Sequence, residues 1–136
     1  MAEGFGVPFA NLIIDHIFGG AAYTQEANLY VALSKSTIDS ADTGSTIPGE
    51  IATGSYARKG CNTWDAAAAG ATENTQPVTF AQATADWGVI TDFAVCSHST
   101  TGDMIIFGKL NTTKNVQSGD TPRFATGDLD FTLANT

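Results

Sequence analysis

The side chains able to do chemistry in this 136-residue chain are few and scattered. There are two histidines, His16 and His98, and two cysteines, Cys61 and Cys96. A nucleophilic triad needs a histidine held beside a hydroxyl and oriented by a carboxylate. His98 stands between Ser97 and Ser99, but neighbours on one turn point apart instead of forming a nucleophile–base pair. His16 falls on the polar side of a helical stretch. A small hydrolase would need His98 beside an acidic group in a cleft, and nothing in the spacing supplies one. Zinc needs Cys and His clustered at ligand spacing, which these four residues lack. The cysteines, 35 residues apart, read as buried thiols; a disulfide is the alternative in an oxidising compartment.

Other patterns are equally thin. Asp39-Ser40-Ala41-Asp42-Thr43-Gly44 faintly echoes a calcium loop, yet Ala41 stands where the EF-hand pattern wants an Asp or Asn ligand. A surface turn accounts for it better. No GxxxxGK or GxGxxG is present to cradle a phosphate. Asn111-Thr112-Thr113 matches a glycosylation sequon, which matters only in a secreted eukaryotic protein. Trp64, Trp87 and Tyr56 could line a sugar-binding surface, although Trp87, beside a strand start, suits the core. The expectation is a protein that binds or builds and is not an enzyme, with no cofactor, no metal and no small-molecule substrate.

Fourteen acidic residues against six basic ones give a net charge of −8. That balance opposes nucleic-acid binding, which needs clustered Lys and Arg on the phosphates. Arg58-Lys59 is the one adjacent basic pair. Charged residues make up only 15% of the chain and hydrophobic ones 43%. Low charge with much Thr, Ala, Gly and Asn suits a β-rich fold whose neutral surface can pack against other proteins. No stretch approaches the roughly 18 apolar residues of a membrane span, and the first fifteen residues lack the basic start of a signal peptide.

The elements follow from periodicity. In Trp87–Cys96, Val89, Thr91, Phe93 and Val95 alternate with Ile90, Asp92, Ala94 and Cys96, the pattern of a strand. Ser97–Asp103 supplies turn chemistry, and Met104–Leu110 is a second apolar run. A β-hairpin over Ala85–Leu110 is therefore predicted at the centre of the sheet. Phe9, Leu12, Ile13, Ile17 and Phe18 recur at helical spacing after Pro8, with Gly19-Gly20 as a stop. Asn28–Ser34, Ser55–Thr63, the stretch from Pro77 to Phe80, Arg123-Phe124 and Gly127–Leu133 read as further strands. Lys35–Gly54, rich in Ser, Thr, Asp and Gly, is predicted to be a long exposed loop of the kind that is often functional. The fold class is mainly β, an antiparallel sandwich or barrel-like domain with one N-terminal helix. An arm and helix over residues 1–20 would precede a single β-rich domain over 21–136.

Several phrases also occur together and in order. They are Asp15-His16-Ile17-Phe18-Gly19-Gly20-Ala21-Ala22-Tyr23, Asn28-Leu29-Tyr30-Val31-Ala32-Leu33 and Gly54-Ser55-Tyr56-Ala57-Arg58. Val78-Thr79-Phe80, Ala83-Thr84-Ala85-Asp86-Trp87-Gly88, Gly108-Lys109-Leu110 and Ser118-Gly119-Asp120-Thr121-Pro122 through Gly127-Asp128-Leu129 complete the set. On these the chain resembles a family of small bacteriophage structural proteins, labelled tail-fibre-like or, in related virions, capsid decoration (cement) proteins. The resemblance implies a virion component made in the host bacterial cytoplasm. Its partners would be the major capsid protein and other copies of itself as a homotrimer, with no nucleic acid and no membrane. It implies a decoration protein that stabilises the assembled head by bridging subunits; the alternative is a tail-fibre or receptor-binding component with exposed aromatics such as Trp64 or Tyr56 at one tip. The contact residues expected are Phe5, Phe9, Leu12, Ile13, Ile17 and Phe18, within a docking segment Met1–Phe18, and the Lys35–Gly54 loop would be a capsid contact or an exposed tip. Deleting residues 2–18 would then leave the β domain folded and abolish incorporation.

Overall fold

A computed structural model describes residues 4–133; Met1 to Glu3 of the expected arm, and the last three residues, lie outside the described residues. The first elements are β1 (Gly4–Phe5) and α1 (Val7–Phe18), followed by β2 (Tyr30–Ser34), β3 (Lys59–Gly60) and β4 (Ala71–Glu73). Then come β5 (Val78–Thr79), β6 (Gly88–Cys96), β7 (Met104–Val116), β8 (Arg123–Phe124) and β9 (Asp130–Thr132). Five strands form one sheet in the order β1-β7-β6-β2-β3, and every pairing is antiparallel. Two small ribbons, β4-β9 and β5-β8, complete the architecture. The fold is thus mainly β with one N-terminal helix. The sheet is open, with β1 and β3 as edges, so it is not a closed barrel.

The predicted hairpin is the middle of this sheet. β6 and β7 pair along most of their length, and Ser97 and Asp103 close the turn through Ser97 N–H to the Asp103 carbonyl at 3.0 Å. β2 adds to the far side of β6 in unbroken register from Tyr30 opposite Cys96 to Ser34 opposite Asp92. Alternation in β2 sends Val31 and Leu33 to one face and Ala32 to the other, and both faces are covered. On the first face they join Ile90, Val95 and Ile106, roofed by Val78, Phe80, Trp87 and Leu129 from around the two ribbons. On the second, Ala32, Ala94, Cys96, Met104 and Phe107 are roofed by Ile38 and Ile47.

Two β-bulges modify the alternation expected in the hairpin. Ile90 pairs with Lys114 and Asp92 with Lys109, so Leu110, Asn111, Thr112 and Thr113 stand against the single Thr91. A bulge shifts the side-chain alternation, and Ile90 accordingly joins Val95 on the first face while Val89 stays 48% exposed. At the other end the register skips Ile105 between Val95/Ile106 and Cys96/Met104. β7 also runs on to Val116, six residues past the expected end of the second strand.

The exposed loop predicted for Lys35–Gly54 is corrected. Its backbone is irregular, but Ile38, Ile47 and, at 4% exposure, Ile51 are buried. Ile38 and Ile47 make the segment a roof over the second face, Ile51 packs into the first, and the Ile51 N–H donates to the Leu33 carbonyl of the sheet. The strand expected over Ser55–Thr63 is reduced to Lys59–Gly60.

Candidate functional site

α1 forms over a stretch from Val7 to Phe18 that no glycine interrupts and whose inward residue Phe9 packs on the body, which outweighs the weak helix propensity of its Val and Ile. Pro8 sits in the first turn where its missing N–H costs nothing. Gly19 ends it in the left-handed conformation at φ 87°, a region open to glycine without a Cβ penalty. The helix is tied to the body at its N-terminal end. β1 pairs with β7, the Gly6 N–H donates to the Ile105 carbonyl at 3.1 Å, and the Val7 N–H to the Ser40 carbonyl at 2.7 Å. Phe9 is the one helix residue that is fully buried, its ring 5.8 Å from Phe5 and 5.3 Å from Tyr23. After the stop the chain folds back along the helix, where the Tyr23 N–H donates to His16 Nδ1 at 3.0 Å.

This anchoring divides the six expected contact residues. Phe5 and Phe9 belong to an aromatic cluster that includes Phe131, 4.8 Å from Phe5, and Ile13 is half-buried. Leu12 at 36%, Ile17 at 65% and Phe18 at 82% exposure face solvent. Val7 and Ile14, which helical spacing from Phe9 leaves out, are 49% and 54% exposed. At about 100° per residue, Val7, Ile14 and Phe18 lie within about 40° of one another, with Ile17 on their flank. The helix is therefore apolar on two sides, one spent on the body and one open, whereas an ordinary surface helix has a single apolar stripe. The signal in the sequence was Val7 and Ile14 themselves, two apolar residues seven apart that the inward stripe does not use.

The deletion considered above acquires a structural consequence. Removing residues 2–18 would strip β1 from β7 and take Phe5 and Phe9 from their cluster. Substitutions confined to the outward face leave both in place.

The residues weighed for chemistry are engaged elsewhere. The Ser97 hydroxyl accepts the Asp103 N–H at 2.9 Å. Asp39 and Asp42 cap their own turn, accepting the Ala41 and Asp39 N–H groups at 2.9 and 2.8 Å. Glu50 is bound by Arg58. Cys61 and Cys96 are buried free thiols, in the cores on the first and second faces respectively. Burial pushes the Cys96 thiol up to about 11, with Arg58 pulling it back and Glu50 adding to the rise; burial also raises Cys61. Thiols in such surroundings are inert at neutral pH. Trp87 is 1% exposed and core, as expected. Trp64 and Tyr56 are half-buried, with the Trp64 indole N–H donating to the Cys61 carbonyl at 2.9 Å and the Tyr56 hydroxyl to Glu50 Oε1 at 2.9 Å. These two rings do not gather at a tip.

Arg58 is the polar centre of the fold. Only 7% exposed, its Nε and Nη2 grip Glu50 Oε1 and Oε2 at 2.7 and 2.8 Å. Nη1 donates to the His98 and Thr101 carbonyls at 3.0 and 3.2 Å, and Nη2 to the Gly44 carbonyl at 2.6 Å. One guanidinium thus joins the 35–54 roof to the turn of the central hairpin. Burial works against its charge, but the Glu50 carboxylate holds its pKa above the ordinary value.

Residues 7–132 match the family described as podophage GP4 fiber I protein gp80. No curated protein matches the chain.

Proposed function

Because the chain belongs to the podophage GP4 fiber I protein family, and is in that sense a phage structural protein, we propose that it is a fiber component of the virion, assembled through the outward face of α1. The observation that carries the assembly mode is the row of exposed apolar side chains Val7, Ile14, Ile17 and Phe18 on a helix whose other side is already packed. Fully burying an aliphatic or aromatic side chain is worth about 1.5–3 kcal/mol, so four per copy make a substantial interface once they meet a partner.

The partner proposed is a second and third copy of the same chain. Copies that each carry a net charge of −8 repel, and they approach most easily through a surface without charge. α1 has no charged residue before Asp15. Its outward side reads Val7 and Ile14 at one heptad position with Ala10 and Ile17 at the other. Val7 and Ile14 are β-branched at the first position and Ile17 at the second, and β-branched residues at both positions favour trimers, with the small Ala10 allowing close approach of the helices. No catalytic role is proposed, as expected of a fiber family. Decoration of the capsid, with the major capsid protein as partner, is the other arrangement, and it is separated by location in the virion.

The test is light scattering on the purified chain, wild type against an Ile14→Asp, Phe18→Ser double variant, with incorporation into virions scored alongside. Wild type is expected to be trimeric at micromolar concentration and the variant a folded monomer that no longer enters virions. A wild type monomeric at 100 μM (about tenfold or more above the affinity such an interface should reach) would overturn self-association through α1.

A further inference from the structure

The large bulge in β7 has a consequence beyond assembly. It moves Lys109 and Lys114 to the rim of a groove of about 430 Å³, and β8 brings Arg123 to the same groove. Three of the six cationic residues of a chain with net charge −8 therefore converge on one place. Lys109 is already used: its Nζ lies 3.4 Å from both carboxylate oxygens of buried Asp92 and 3.1 Å from the Thr37 hydroxyl. Among the described residues, Lys114 and Arg123 have no carboxylate within ion-pair distance. Phe93 and Phe124, ring centroids 5.9 Å apart, line the groove between them.

We propose that this groove binds a carboxylated sugar, such as a hexuronate or sialic-acid unit of an acidic oligosaccharide. Lys114 and Arg123 share the groove lining with apolar rings, which suits a ligand with one anionic group and an apolar face, and Arg engages a carboxylate with two parallel donors. The rest of the lining decides between ligands. Asn111 and Thr112 from the bulge offer neutral polar groups, and Asp128 and Asp130 offer acceptors. An acidic peptide or a polyphosphate would meet those two carboxylates as like charges. A sugar acid presents a single carboxylate to the cations, hydroxyl donors to Asp128 and Asp130, and C–H faces to the phenylalanines. The groove's size suits one or two sugar rings, within the range of small-ligand pockets. It shares no residue with α1, so the site stands or falls apart from the assembly mode.

The experiment is isothermal calorimetry on the full chain with oligogalacturonate, sialyllactose, neutral dextran oligomers and inorganic phosphate. At least one acidic sugar is expected to bind, with affinity falling as salt rises, and whether galacturonate or sialyllactose does so identifies the ring. Arg123→Gln and Lys114→Gln, both exposed positions, should each weaken binding about tenfold, the loss expected for a charged hydrogen bond. Absence of binding by both acidic sugars at millimolar concentration, equal binding by dextran, phosphate binding as tightly as sugar, or unchanged affinity in both variants would each overturn the proposal.

Discussion

Replacing Arg58 by methionine keeps most of the side-chain stem and removes the guanidinium. What remains is a Glu50 carboxylate without its bidentate partner and the carbonyls of Gly44, His98 and Thr101 without their donors. Breaking a buried ion pair from one side costs about 3–5 kcal/mol. Glu50 keeps 22% side-chain exposure, so water can recover part of its solvation, and the lower end of about 3 kcal/mol is expected. For 136 residues the unfolding entropy is about 0.29 kcal/mol/K, so that loss lowers Tm by about 10 °C. Urea melts followed by tryptophan fluorescence measure it directly, and a cycle with Glu50→Gln tests whether the two residues act together. Arg58→Lys should fall between, because one ammonium cannot span both carboxylate oxygens and three carbonyls. A loss below about 1 kcal/mol, the range of a surface pair, would refute the assignment of Arg58 as the tie between roof and hairpin.

Other outcomes follow from the same packing. Asn74, fully buried, donates to the Gln76 and Ala125 carbonyls and accepts the Leu129 N–H at 2.9 Å; Asn74→Ala should cost about 2–4 kcal/mol in urea melts by leaving those groups unpaired. The Cys96 thiol has a folded pKa above its unfolded one, so its contribution is whole below about pH 9 and is lost as pH rises through about 11. That amounts to about 2–3 kcal/mol, and Cys96→Ala should shrink the alkaline fall in stability by about that much. Tyr56, raised first by burial and then by Glu50, acts in the same direction above pH 10. Both thiols should react with Ellman's reagent in denaturant and resist it in the native state at neutral pH, a contrast read by absorbance.

The hairpin was legible because Val89 to Cys96 alternate and a turn-rich segment follows. Its bulges were not, since nothing in a run such as Leu110 to Thr113 says that four residues will oppose one. The inward helix stripe was legible from Phe9, but spacing could not tell which of two apolar sides the body would take. Ile38, Ile47 and Ile51 stand nine and then four positions apart among small, polar and turn-forming residues, too sparse for a strand or helix pattern, so the burial of Ile38 and Ile47 against the second face and of Ile51 against the first was invisible. Arg58 read as half of a basic dipeptide; the carboxylate and carbonyls that bury it come from distant segments. The same holds for Lys114 and Arg123, which local sequence leaves apart and the bulge and β8 bring to one groove.

The most direct measurement of the central claim is the position and copy number of this chain in purified virions, by imaging with a labelled antibody and gel densitometry. A fiber component predicts label confined to the tail, in a small number of copies divisible by three. Hundreds of copies spread over the head would contradict it and establish capsid decoration instead.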